Sequence, residues 1–152
     1  MGSKTKSDLG RNKNMINEIK QAVEVRKSLK HGNGLFAKKD FKKGEVVYSL
    51  ELGRVVNRSD IQSLSAEDKK HLDQIEEGKF EVIQFPGYYV NHSCDPNIEE
   101  RVEEGRRSGY AIKDIRAEEE VAVDYDKSAY IQVPFECNCG SKNCRKVIQG
   151  KK

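Results

Sequence analysis

The chain has no uncharged apolar run near the roughly 18–20 residues that a membrane-crossing helix needs, so a bilayer span is excluded by length. Its opening, MGSKTKSDLGRNKNMINEIK, is basic and polar and lacks the apolar centre of a secretory signal. Lys6 stands where the myristoylation pattern requires Ser or Thr. No internal repeat or low-complexity tract is present. There is no Gly-Lys-Ser/Thr phosphate loop, and the lone G-x-G at Gly32-Asn33-Gly34 lacks the third glycine of a dinucleotide fingerprint. These absences point to a soluble intracellular protein that does not cradle a phosphate-bearing nucleotide.

The chain has 152 residues, 36% hydrophobic and 35% charged, which is enough for one modest core and too little for two. The net charge of +3 hides an asymmetry: residues 1–43 hold 12 Lys/Arg against 4 Asp/Glu, and the remainder holds 16 against 21. A basic arm thus precedes a mildly acidic body. Glu99, Glu100, Glu103 and Glu104, and the run Glu118-Glu119-Glu120, read first as solvated surface. They read second as an acidic rim that attracts a basic peptide, with the arm available for nucleic acid or another acidic partner.

Four cysteines in an intracellular-looking chain argue for metal rather than disulfides. Cys137, Cys139 and Cys144 are packed as C-x-C-x4-C, while Cys94 lies in NHSCDP. Thiolates this close can converge on one zinc, which accepts four sulfurs tetrahedrally and then keeps no open position for water.

Residues 1–14 read as a flexible arm, and 15–23 as a short helix or edge segment. VEVRKSL, GLFAKKDF and EVVYSLEL read as strands, as do FEVIQF, GYYV, GYAIKDI and EEVAVDY. Between the two groups, Ser65-Ala66-Glu67-Asp68 resembles a capping box opening a helix, with Leu72 and Ile75 facing inward and Gly78 closing it. The fold class expected is mainly β, with small curved sheets and a small helical insert at about 59–78.

Asn91-His92-Ser93 and Asn57-Arg58-Ser59 match the glycosylation sequon, which has no meaning without a secretory route. NHSCDPN also reads as an Asx turn with Pro96 fixing the bend. A third reading makes Asn91 and His92 a polar ligand edge with Cys94 pinned to metal just behind. HGNGLF reads as a tight turn whose backbone approaches a ligand closely.

Taken in order, KHGNGLFAKKDFKKGEVV, YYVNHSCDPN, AIKDIRAEEEVAVDY and FECNCGSKNCRKVI resemble a SET-domain protein lysine methyltransferase with a post-SET zinc segment. The likeness covers residues 22–149, and no cysteine-rich pre-SET region is present. It implies a basic arm over 1–21, a SET domain over 22–129 and a post-SET segment over 130–149. NHSCDPN and Asp124-Tyr125 would meet in a pseudoknot, an exception to the usual avoidance of threading. By this resemblance the backbone around His31, Gly32 and Asn33 would receive the methionine part of S-adenosylmethionine, and Asn91 and His92 would hold the cofactor. Phe135 and Asn138 would cover its adenine, and Tyr125 would contact the cofactor and align the lysine amine as the catalytic group. Cys94, Cys137, Cys139 and Cys144 would bind one structural zinc. The substrate implied is a basic, lysine-containing protein or peptide, of which a histone tail is one example.

Methyl transfer from a sulfonium to nitrogen needs alignment and a neutral amine more than it needs catalytic groups. Two departures from the family stand out. Val47-Tyr48-Ser49-Leu50 replaces an expected Glu-Tyr pair, leaving Tyr48, Tyr88 or Tyr89 to supply a channel tyrosine. Val123 stands two residues before Tyr125, where relatives often carry Phe or Tyr. Two rival readings compete: a catalytically silent SET-like module that binds peptide or cofactor, and a small zinc-containing nucleic-acid binder using the arm with Lys142, Arg145 and Lys146.

Overall fold

The computed structural model describes residues 22–128 and 134–150. The arm at 1–21, most of the segment expected at 15–23, and residues 129–133 lie outside the described residues.

Four small sheets make up the fold. The first holds β1 (Val23–Lys27), β2 (Asn33–Ala37), β10 (Glu120–Val123) and β7 (Asn91–His92), in the order β1-β2-β10-β7. The second holds β3 (Val46–Glu51), β9 (Arg106–Ala111) and β8 (Ile98–Glu103), with β9 central. The third holds β4 (Val55–Asn57), β6 (Lys79–Val82) and β5 (Leu72–Glu76). A two-residue ladder of β11 (Phe135–Glu136) and β12 (Val147–Ile148) forms the fourth. Leu35, Ala37, Phe41, Val47, Ile98, Ile115 and Val121 are buried in one core between the first two sheets. β-Branched and aromatic residues at alternate positions place these side chains inward, each contributing about 1.5–3 kcal/mol for the larger ones.

β7 and β10 pair in parallel, Ala122 opposite Asn91 and Val123 opposite His92. Asn97 extends this pairing with its side chain: Nδ2 donates to the Glu120 carbonyl at 2.8 Å and Oδ1 accepts from the Ala122 amide at 2.9 Å. The NHSCDPN turn is thereby sewn to the strand that leads into Asp124 and Tyr125.

The helical insert expected over 59–78 is shorter than its sequence suggested. A 3-10 turn over Arg58–Ser63 is followed by α1 (Ala66–Lys70), opened by Ser65, whose side chain accepts the Asp68 amide at 3.1 Å. Leu72 and Ile75 then lie on a strand, and Gly78 closes a hairpin rather than a helix. Pairing decides the outcome. Asp73 stands directly opposite Glu81 across β5 and β6, an arrangement that like charges would disfavour alone. Arg107 from β9 resolves it, donating Nη2 to Asp73 at 2.5 Å and Nε to Glu81 at 2.8 Å, all three side chains being buried. The insert is thus anchored to the second sheet by an ion cluster, which a helix here would not align.

GYYV, expected as a strand, forms a 3-10 turn over Gly87–Tyr89 that ends at Val90. Of the acidic residues expected on the solvated surface, Glu99, Glu103 and Glu104 are exposed, whereas Glu100 lies with Ile98 and Val102 on the inward side of β8.

Candidate active site and thiol cluster

The β1–β2 turn is shaped from beneath. Ser28 Oγ accepts the amides of Lys30 and His31 at 3.0 and 3.3 Å, and donates to Glu120 Oε2 at 2.9 Å. Asn91 Nδ2 faces the carbonyls of His31 and Asn33, both at 3.0 Å, and Glu120 Oε1 at 2.9 Å. Gly34 is required here, because a Cβ would overlap the Glu120 carboxylate and lie 3.1 Å from Asn91 Nδ2. Glu120 is therefore the hub joining the turn to β7. It lay unnoticed in an acidic run; its only sequence signal was its place beside the apolar residues Val121 to Val123.

His92 is buried, and its Nδ1 accepts the Tyr125 amide at 3.0 Å. That assigns the ring proton to Nε2, which lies 3.3 Å from the Cys94 sulfur. Burial pushes the His92 pKa down, with Asp124 opposing. Tyr125 opens the short helix α2 (Tyr125–Ser128) and donates its hydroxyl to the Val90 carbonyl at 2.5 Å. With that hydrogen committed, the Tyr125 oxygen offers lone pairs. Burial first, then the carboxylates of Glu100 and Glu120, raise its pKa, so it stays protonated at neutral pH.

A cavity of about 500 Å³ opens between these elements. Of the sequence candidates, His31, Asn91, His92, Tyr125, Phe135 and Asn138 line it. Gly32 and Asn33 do not; they belong to the turn that supports it. Phe135 stands edge-on to both His92 and Tyr125, each ring centroid 6.2 Å away. Sequence reasoning missed Lys70 and His71 as lining residues. His71 stacks on Tyr88 at 4.2 Å, and both reach the cavity because the insert turns from helix to strand at that point.

The sulfurs of Cys94, Cys137, Cys139 and Cys144 lie within 4.8 Å of one another. Cys94 and Cys137 are 3.9 Å apart, against about 3.8 Å for the edge of a tetrahedron with 2.3 Å metal–sulfur bonds. The Arg145 N–H donates to the Cys94 sulfur at 3.3 Å, and the Cys144 thiol faces the Cys137 carbonyl at 3.5 Å. Burial pushes Cys137 up to about 12. At Cys139 burial is outweighed by the Ser141 hydroxyl and by backbone amides, which bring it down to about 5. The donor set, spacing and closed geometry suit a four-sulfur ion.

The C-terminal segment is also tied to the site by charge. Arg145 donates Nη2 to Asp124 at 2.5 Å and lies 3.0 Å from Asp126 through Nε. Asp126 accepts the amides of Gln149 and Gly150. Asn143 donates to the Cys94 carbonyl at 3.1 Å.

Of the three tyrosines that could replace the missing channel residue, Tyr88 stacks at the cavity rim and Tyr89 packs against Phe85. Tyr48 is buried in the core beside Val123, and Leu50 packs against the same cluster.

Small mixed sheets, a parallel β7–β10 pair beneath a polar cavity, and a cysteine cluster at its rim together define a class of domain. A SET-domain family model matches residues 32–126, and the chain belongs to that family. The chain is 32% identical over 142 residues to an H3 lysine-36 specific histone-lysine N-methyltransferase of Aspergillus oryzae, the match covering 85% of this chain and 15% of that protein. It is 32% identical over 152 residues to human histone-lysine N-methyltransferase 2B, covering 85% of this chain and 5% of the other. An H3 lysine-36 specific enzyme of Yarrowia lipolytica is 34% identical over 143 residues, with 86% and 18% covered. Among solved structures, a chain in the crystal structure of an active polycomb repressive complex 2 in the basal state superposes with a TM-score of 0.57 at 30% identity. That match covers 69% of this chain and 15% of the other. The chain thus spans less than a fifth of the length of these relatives. Among the described residues, no helix is long and apolar enough to cross a membrane.

Proposed function

We propose that this chain is an S-adenosylmethionine-dependent protein-lysine N-methyltransferase. The observation that carries the reading is the single cavity wall on which Asn91, His92, Tyr125 and Phe135 stand together. Its volume of about 500 Å³ suits a cofactor of nucleoside size. The cofactor, when bound, supplies a methyl group already activated on a sulfonium.

The chain's own residues then do three things. The turn held by Ser28, Asn91 and Glu120 brings Lys30 and His31 to the cavity wall, where the cofactor's amino-acid end would lie, while Phe135 offers an aromatic face to a base. His92, fixed by the Tyr125 amide, keeps β7 and α2 in one geometry. Tyr125 accepts a hydrogen bond from the acceptor nitrogen through its free lone pairs, aligning the nitrogen for in-line transfer. A four-sulfur zinc would hold Phe135 and Asn138 over the cavity. The names of the relatives support a histone as acceptor, and the exposed Glu99, Glu103 and Glu104 suit capture of a basic chain.

The test is incubation of the purified protein and methyl-labelled S-adenosylmethionine with core histones and with whole-cell protein. Label on lysine is the expected result. Cofactor binding without label on any protein would favour a silent binding module.

A further inference from the structure

Lys70 and His71, at the point where α1 gives way to β5, line the cavity and have no part in the chemistry above. Their backbone is fixed on both sides. The His71 amide donates to the Asp68 carbonyl at 3.1 Å, closing the helix, and the His71 carbonyl accepts the Ile83 amide at 2.9 Å, opening the hairpin. The His71 ring stacks on Tyr88 with centroids 4.2 Å apart and planes 25° from parallel. Glu67, one helical turn back, reaches both side chains: Oε1 lies 3.2 Å from His71 Nε2, and Oε2 accepts Lys70 Nζ at 3.4 Å. The helix end is thereby held at the cavity edge. An ammonium has three N–H donors, and Glu67 engages one, so two remain for a ligand.

The cavity wall has two unlike ends. It runs from Lys70 and His71 through Tyr88 to Asn91, which is bonded to the His31 carbonyl, and on through His92 to Phe135. Its two lysines, Lys30 and Lys70, belong to the Asn91 side, on the β1–β2 turn and on the insert. Its one carboxylate among the described residues, Glu136, follows Phe135 on β11. An aromatic ring at one end suits a base, and two ammonium groups at the other suit a small anion. The cofactor of the proposed reaction carries such an anion, the carboxylate of its amino-acid end. Taken into a cavity without a cation, that carboxylate would lose its hydration uncompensated.

We propose that Lys70 is the insert's own contribution to cofactor binding: with Lys30 it seats the carboxylate of S-adenosylmethionine, and so clamps the insert to the β1–β2 turn. This role rests on the methyl-transfer reading above. Glu67 steadies the Lys70 ammonium at the rim, and the ligand carboxylate takes up its remaining N–H groups. His71 anchors the helix end on Tyr88. The seat selects ligands by their carboxylate, separately from the base at the Phe135 end.

Calorimetry on the full chain compares S-adenosylmethionine with decarboxylated S-adenosylmethionine, which keeps the sulfonium and the amine but lacks the carboxylate. Wild type should prefer the carboxylate-bearing ligand. Lys70→Met should weaken that ligand by about fivefold, the upper range for a partly exposed ion pair, since the Lys70 side chain is 69% exposed. Binding of the decarboxylated ligand should stay at wild type. Lys70→Arg keeps the charge and should keep the preference. Lys69→Met removes the same charge one residue away, off the cavity, and should change neither affinity. An equal loss for both ligands in Lys70→Met, or a loss matched by Lys69→Met, makes Lys70 a structural or long-range charge and overturns the seat. Wild type that binds both ligands equally well, or a preference that only Lys30→Met removes, overturns it too and leaves the methyl-transfer reading standing. Wild type that binds neither ligand overturns both.

Discussion

The amide of Tyr125 donates to the imidazole Nδ1 of His92 at 3.0 Å, closing a contact between residues 33 positions apart. This bond sets the tautomer of His92 and points its other nitrogen at Cys94. One ring therefore joins the start of α2, the parallel strand β7 and the thiol cluster.

Tyr125→Phe should leave the fold intact and lower kcat by about 10²–10³, the usual cost of removing one positioned group from a transition state. The cofactor Kd, measured by calorimetry, should change little. Loss of the bond to Val90 should lower stability by about 0.5–1.5 kcal/mol, readable as a lower denaturant midpoint.

Glu120→Ala should act on binding. Without its carboxylate, Ser28 and Asn91 lose a shared partner, and the β1–β2 turn loses its support. A loss of about 1–3 kcal/mol corresponds to roughly ten- to hundredfold weaker cofactor affinity. Glu99→Ala, on an exposed strand position, should leave that affinity at wild type in the same titration.

Protein purified without chelator should carry one zinc per chain by elemental analysis. Cys139→Ser should release it, and amide exchange over 135–149 should accelerate because four sulfurs from two segments no longer share an ion.

Acid should loosen the C-terminal segment before the core. Burial works to raise the Asp126 pKa, but the amides of Gly150 and Gln149 and the Arg145 guanidinium outweigh it and hold it below the usual range. A group lowered in the folded state contributes stability above its unfolded pKa of about 3.9, and loses it as pH falls through the folded value. Exchange at Gln149 and Gly150 should therefore rise below about pH 4 in wild type. In Asp126→Asn it should be faster already at neutral pH, with a weaker acid response.

The parts of the site legible in sequence were those made from rare residues in fixed order. NHSCDPN, Asp124-Tyr125 and C-x-C-x4-C each name atoms that few other arrangements use, and they meet at one cavity and one thiol cluster. Glu120, Glu100 and Arg107 were illegible for the opposite reason. Each stands among charged neighbours of the same kind, and only strand register decides which carboxylate faces Asn91, Tyr48 or solvent. The inward alternation of Ile98, Glu100 and Val102 was present as a signal, though the acidic run masked it. The insert misled because Ser65 and the acidic first turn do open a helix, while the hairpin that ends it depends on an arginine 34 residues from Asp73.

The cavity has no local version of itself. Asn91 meets the β1–β2 turn across 58 to 60 residues, and Ser28 meets Glu120 across 92. The contacts that join these segments into a pocket must wait for distant stretches of chain to find each other, a topology that slows folding because loop closure comes before the contacts that reward it. A chain still emerging from the ribosome, or one cut anywhere between Ser28 and Tyr125, carries no weakened pocket but none. Activity in this protein should therefore appear late and all at once, as a property of the finished chain.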